Sequence, residues 1–78
     1  MSDIFYDFRP EISSSHLDRL ERSLPGINGH DYVTVIMEKE DAHEADSIVR
    51  ILSQNGFRIE SKGALATEFA ITAKRLMH

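Results

Sequence analysis

Along residues 4–8 the chain reads Ile-Phe-Tyr-Asp-Phe, which puts Ile4, Tyr6 and Phe8 on one parity and Phe5 and Asp7 on the other. A two-residue apolar rhythm is that of a β-strand, and Pro10 just beyond it suits an edge position. Over residues 13–24 the rhythm changes. Leu17, Leu20 and Leu24 fall at i, i+3 and i+7, the stripe of a short amphipathic helix. Ser15 and Asp18 have the spacing of a capping box for its first turn, with Ile12 placed to pack beside it. Pro25 and Gly26 stop the helix, and the run Pro-Gly-Ile-Asn-Gly-His carries enough turn chemistry to reverse the chain.

Residues 32–37 are apolar on both parities, Tyr32, Thr34 and Ile36 on one and Val33, Val35 and Met37 on the other, which predicts a central strand. The most regular pattern follows. Ala45, Ile48, Val49 and Leu52 form one apolar stripe, while His43, Glu44, Asp46, Arg50, Ser53 and Gln54 point elsewhere. Asn55 and Gly56 supply a left-handed cap, and Phe57 and Ile59 then alternate with Arg58 and Glu60 as a third strand. From Tyr32 to Glu60 this strand-helix-strand run has the length of a right-handed parallel crossover with its helix on one sheet face.

Two periods fit the tail. As a strand, Phe69, Ile71 and Ala73 share a face; as a helix, Leu65, Phe69, Ala73 and Leu76 do. The β-rich Thr-Glu-Phe-Ala-Ile-Thr and the turn-like Ser61-Lys62-Gly63 favour a hairpin, with a third helix over residues 64–77 as the alternative. The expected fold is therefore α+β, a two-layer sandwich in the order β-α-β-α-β-β, with a ferredoxin-like or half-ferredoxin-like sheet and helices on one face. Its expected core is Leu20, Val35, Ile48, Val49, Leu52, Phe57, Ile59, Phe69 and Ile71.

A length of 78 residues allows one core, so residues 1–78 are read as a single domain. With 41% apolar residues the chain can fold, and with no cysteine it must do so without disulfides or thiolate-held zinc. A small domain that lives on packing alone gains from burying a face against a second copy, so a homodimer is one expected form. The net charge of −4 predicts no general attraction to phosphate backbones or acidic membranes. No apolar run approaches the roughly 20 residues of a membrane-spanning helix, and the start lacks the pattern of a secretion signal, so a cytoplasmic home is expected.

The densest chemistry is Glu-Lys-Glu-Asp-Ala-His-Glu-Ala-Asp at residues 38–46. Asp41 and Glu44 are spaced as a capping box, and acids near a helix N-terminus need no further reason. The competing reading is a metal site around His43 and Asp46, at i and i+3, completed by His30 or Glu38. Ser13 to Ser15 beside His16 imitate a nucleophile and base, but adjacent residues on a forming helix do not aim one at the other. Gly26-Ile27-Asn28-Gly29 has the spacing of a backbone-clamping glycine loop, yet it joins a helix to a strand and carries no Lys or Arg.

The segments Ala-Asp-Ser-Ile-Val-Arg-Ile-Leu-Ser-Gln-Asn-Gly-Phe-Arg-Ile and Glu-Phe-Ala-Ile-Thr-Ala-Lys-Arg-Leu-Met are similar in pattern to ferredoxin-like regulatory modules. These include ACT-type ligand sensors and small regulators of RNA-degrading enzymes. The similarity spans about 45 residues of generic pattern and implies a leaning toward regulation but no site residue.

What is missing weighs most: no nucleophile set, no phosphate loop, no basic stripe, and no cofactor motif. The expected function is that of a small non-catalytic regulatory protein docking on another protein, with inhibition or modulation of a larger machine inside that class. Phe5, Tyr6 and Phe8, together with Arg58 and Lys74 on the sheet face, are the expected partner-binding residues. The alternative from another class is RNA binding by the exposed sheet face through Arg58, Lys62, Lys74 and Arg75.

Overall fold

The computed structural model describes residues 3–27, 29 and 31–76, with the side chain of Leu65 excepted. Val33, Val35 and Met37 are fully buried on one side of strand β2 (Tyr32–Glu38), the centre around which the other elements are arranged. Strand β1 (Asp3–Asp7) pairs parallel to β2, and helix α1 (Ser14–Ser23) makes the crossover between them. Helix α2 (Ala45–Gln54) leads from β2 to β3 (Phe57–Leu65), which turns back into β4 (Glu68–Arg75). β4 pairs antiparallel with both β2 and β3, so the sheet order is β1-β2-β4-β3. The fold is α+β with a four-stranded mixed sheet and two helices, in a ferredoxin-like or half-ferredoxin-like layout. β3 runs parallel to β2 as the pattern predicts, but it is not β2's neighbour, because β4 lies between them.

The tail is a hairpin, and the third helix over 64–77 does not form across its described residues. Ser61, Lys62 and Gly63 are not its turn. They continue β3, and the reversal comes at Ala66 and Thr67, with Ala66 in the left-handed region at φ 52°. The turn moves because Ser61 to Leu65 find partners in Glu68 to Thr72, and added ladder bonds outweigh one unfavourable Ala conformation. A bulge between Ile59 and Ser61 shifts the register, so that Arg58 and Ser61 share a face while Lys62 falls on the other.

Both helices lie on the face carrying Val33, Val35, Met37, Ile71 and Ala73, and contribute Leu20, Ala45, Ile48 and Leu52 to one core. Of the expected core, Leu20, Val35, Ile48, Leu52, Phe57 and Ile71 are buried; Val49, Ile59 and Phe69 are half-buried against it. Phe8 and Leu24 are also fully buried.

The capping devices differ from expectation. Ser13, not Ser15, caps α1: its hydroxyl accepts from the His16 N–H, and its own N–H donates to Nδ1 of His16. The acidic run at 38–46 does not box-cap α2. Lys39–Glu44 forms a 3₁₀ turn leading straight into the helix, and the Ala45 N–H already has the Ala42 carbonyl as its acceptor. Asp41 is therefore released from capping, and its carboxylate accepts the Ile12 N–H at 3.3 Å, tying the segment before α1 to the segment before α2. The C-terminus of α2 matches the pattern: Gly56 takes φ 84°, and the Asn55 side chain donates to the Ile51 carbonyl at 2.8 Å. Among the described residues no helix is long and apolar enough to cross a membrane.

Candidate functional site: the uncovered face of the sheet

With both helices on one side, alternate residues of every strand are left on the other. The register places them in three rows across the sheet. Asp3, Tyr32, Lys74 and Arg58 form the first, Phe5, Thr34, Thr72 and Ser61 the second, and Asp7, Ile36, Ala70 and Gly63 the third. Beyond these, Glu38 faces Glu68. Thr34, Thr72, Ile36 and Ala70 on the two central strands of the second and third rows carry no charge, and the charged residues stand around them.

Phe5 is the feature of this face that packing does not explain. It is 63% exposed, whereas its alternating neighbours Ile4 and Tyr6 turn inward on the helix side. Across the face, beyond Thr34 and Thr72, Gly63 and Ala70 leave a shallow hollow of about 270 Å³, also lined by Ser61, Lys62, Ala64 and Thr72. The hollow exists because two adjacent strands place their smallest side chains side by side. A Cβ added at Gly63 would meet no atom within 4 Å.

One end of the face is held by Arg9. Its Nε and Nη2 each donate to Asp7 at 2.8 Å in a bidentate pair, its backbone N–H reaches the same carboxylate at 3.1 Å, and Nη1 donates to Glu68. These donors stabilise the ionised carboxylate and hold Asp7 at about 2, below its ordinary value of 3.8. The same hydrogen bond raises Arg9 above its already high value. At the other end Lys74 stands 5.8 Å from the centre of the Tyr32 ring, and Arg58 donates to Glu60 at 2.8 Å.

The structure divides the residues expected to bind a partner. Phe5, Arg58 and Lys74 share the uncovered face. Tyr6 and Phe8 do not: Phe8 is fully buried and stacks on His16 with ring centres 4.8 Å apart, while the Tyr6 hydroxyl bonds to Ser23 at 2.5 Å. Ordinary core packing takes them, because their parity is that of Ile4, which faces the helices.

The basic quartet of the RNA reading also separates. Lys62 follows the bulge onto the helix-side parity, and Arg75 is spent on structure. Its Nη1 donates to the carbonyls of Asn55 at 2.6 Å and Leu24 at 3.4 Å, with the guanidinium 5.2 Å from the centre of Phe57. It thereby closes the C-terminal end of α2 and, at its C-cap Leu24, the end of α1, where the 3₁₀ turn Leu24–Gly26 begins.

His30, the third member of the metal reading, lies outside the described residues. His43 Nδ1 is 3.1 Å from the Glu40 carbonyl inside its own 3₁₀ turn, and Asp46 is exposed. Among the described residues no three His, Cys, Asp or Glu are grouped to hold a metal ion, and none of their polar side chains is buried.

Sequence reasoning did not find Arg9 or the Gly63 hollow, and it placed Arg75 in the RNA reading rather than in the structural role that it takes. Only the hollow had a local signal, since a glycine inside a strand marks a bulge or a close approach. The chain matches no known family model, no curated protein and no solved structure.

Proposed function

We infer that this chain is a small non-catalytic regulatory or interaction protein that works by docking the uncovered face of its sheet on another protein. The observation that carries the reading is Phe5, a large apolar side chain 63% exposed on the edge strand β1, on a sheet face that the chain's own helices leave open. Aromatic side chains in such positions supply most of the energy of an interface, because their apolar area is large and they lose few rotamers on burial. The hydroxyls of Thr34 and Thr72, 3.4 Å apart, and the charged ends give such a patch the polar surround that fixes register.

Modulation of a larger machine belongs to this reading, since a domain this small acts by covering or holding a surface. A cytoplasmic setting is proposed with it, which a fold without cysteine suits. The test is capture from a lysate of the native host by the immobilised full chain, run beside Phe5→Ser. A protein retained by the first and lost by the second is the expected result; equal retention by both, or turnover of a substrate by the free chain, refutes the reading.

A further inference from the structure

We propose that the first occupant of this face is a second copy of the chain, seated back to back about a two-fold axis parallel to the strands and lying between β2 and β4. This rests on the docking reading and names the partner. Phe5 protrudes from the second row on β1, and the hollow floored by Gly63 and Ala70 lies between the second and third rows on β3 and β4. A dyad along the strands exchanges the two sides of the sheet without exchanging its ends, so β1 of one copy falls on β3 of the other. Each Phe5 ring then enters the hollow of the opposite copy, and one contact repeated by symmetry fills both.

Charge agrees at one end. Asp3, in the first row on β1, comes opposite Arg58 of the second copy, in the first row on β3. At the far end Glu38 comes opposite Glu68 of the second copy, a repulsion at the rim that Arg9 moderates by its bond to Glu68. A dyad perpendicular to the strands would instead set Lys74 opposite Glu68, but it would leave Phe5 against β1 of the other copy with both hollows empty. Burial of an aromatic ring outweighs an exposed ion pair, and this selects the axis along the strands.

The rows and strand spacing give a footprint of roughly 400 Å² per copy. That is about half of a standard interface, which places the pair in the weak, transient class.

The experiment is sedimentation equilibrium of the full chain across micromolar to millimolar concentrations. The parent chain is compared with Phe5→Ser, which removes the ring, and Gly63→Gln, whose Cβ meets no atom within 4 Å in its own copy and whose longer side chain occupies the hollow. Each should weaken association about tenfold or more while the helical circular dichroism signal is retained. Glu38→Gln should tighten it about two- to threefold relative to Glu21→Gln, an exposed α1 change of equal charge, and misfolding cannot produce that gain.

A parent chain that stays monomeric at millimolar concentration overturns the proposal, as does a dimer indifferent to both Phe5→Ser and Gly63→Gln. If the parent is monomeric but Phe5→Ser still loses a lysate protein, the second copy is ruled out and the docking reading survives. If neither assay responds to Phe5→Ser, both fall.

Discussion

Asp7 carries an effect out of proportion to its exposure. Its carboxylate accepts three N–H groups from Arg9, two from the guanidinium and one from the backbone, and such a cradle favours the charged form. Its folded value of about 2 lies below the ordinary 3.8, so its contribution to stability is present above that ordinary value and is lost as pH falls toward 2. Removing the guanidinium with Arg9→Gln should return the Asp7 midpoint most of the way to the ordinary range, followed by side-chain carboxyl NMR shifts between pH 1.5 and 6. A midpoint unchanged in the variant would show that the backbone N–H alone holds it down. Nothing in the local sequence distinguishes this pair from any Asp and Arg two apart. The reach from Arg9 to Glu68 spans 59 positions and exists only after β1, β2 and β4 are assembled.

Helix α2 shows the same limit one scale up. Its apolar stripe, its left-handed stop at Gly56 and the strand that follows were all readable, because each depends on residues within a turn of one another. Its start was not. Asp41 and Glu44 have the spacing of a box, but the chain approaches α2 through a 3₁₀ turn in which the Ala42 carbonyl accepts the Ala45 N–H and no side chain caps the helix. For α1 the chain arrives extended, with Ser13 at φ −122°, and there the side-chain cap is needed. The two helices should therefore respond differently. Ser13→Ala should cost about 1 kcal/mol and Glu44→Ala less than about 0.5 kcal/mol, by urea denaturation at neutral pH. Equal losses would mean that Glu44 caps after all. The hairpin teaches a related lesson: Ser61-Lys62-Gly63 has turn composition, but pairing with Glu68 to Thr72 keeps it in the strand, so turn chemistry was overruled by the register of β4.

For the whole molecule the question is which aromatic side chains hold the fold and which are left for another surface, and β1 poses it within four residues. Phe8 is fully buried, stacks on His16 and meets Tyr6 edge-on at 6.2 Å; Phe5, on the opposite parity, is 63% exposed. Sequence treated them as one aromatic patch, since composition does not record which parity the helices cover. Burial separates them by several kilocalories. Phe8→Ala should cost about 3–5 kcal/mol, and a domain of this size holds roughly 4–12 kcal/mol in total, so that variant should be largely or partly unfolded at 37 °C. Phe5→Ala removes the same atoms from a site mostly in water and should change the unfolding free energy of the monomer by less than about 0.5 kcal/mol. Chemical denaturation of both variants at low micromolar concentration, where self-association does not contribute, measures the contrast. A large loss from Phe5→Ala under those conditions would make Phe5 a structural residue and remove the reason to read this face as a docking surface. A small loss leaves a costly apolar side chain in water with no part in holding up its own fold, the condition that a binding role explains.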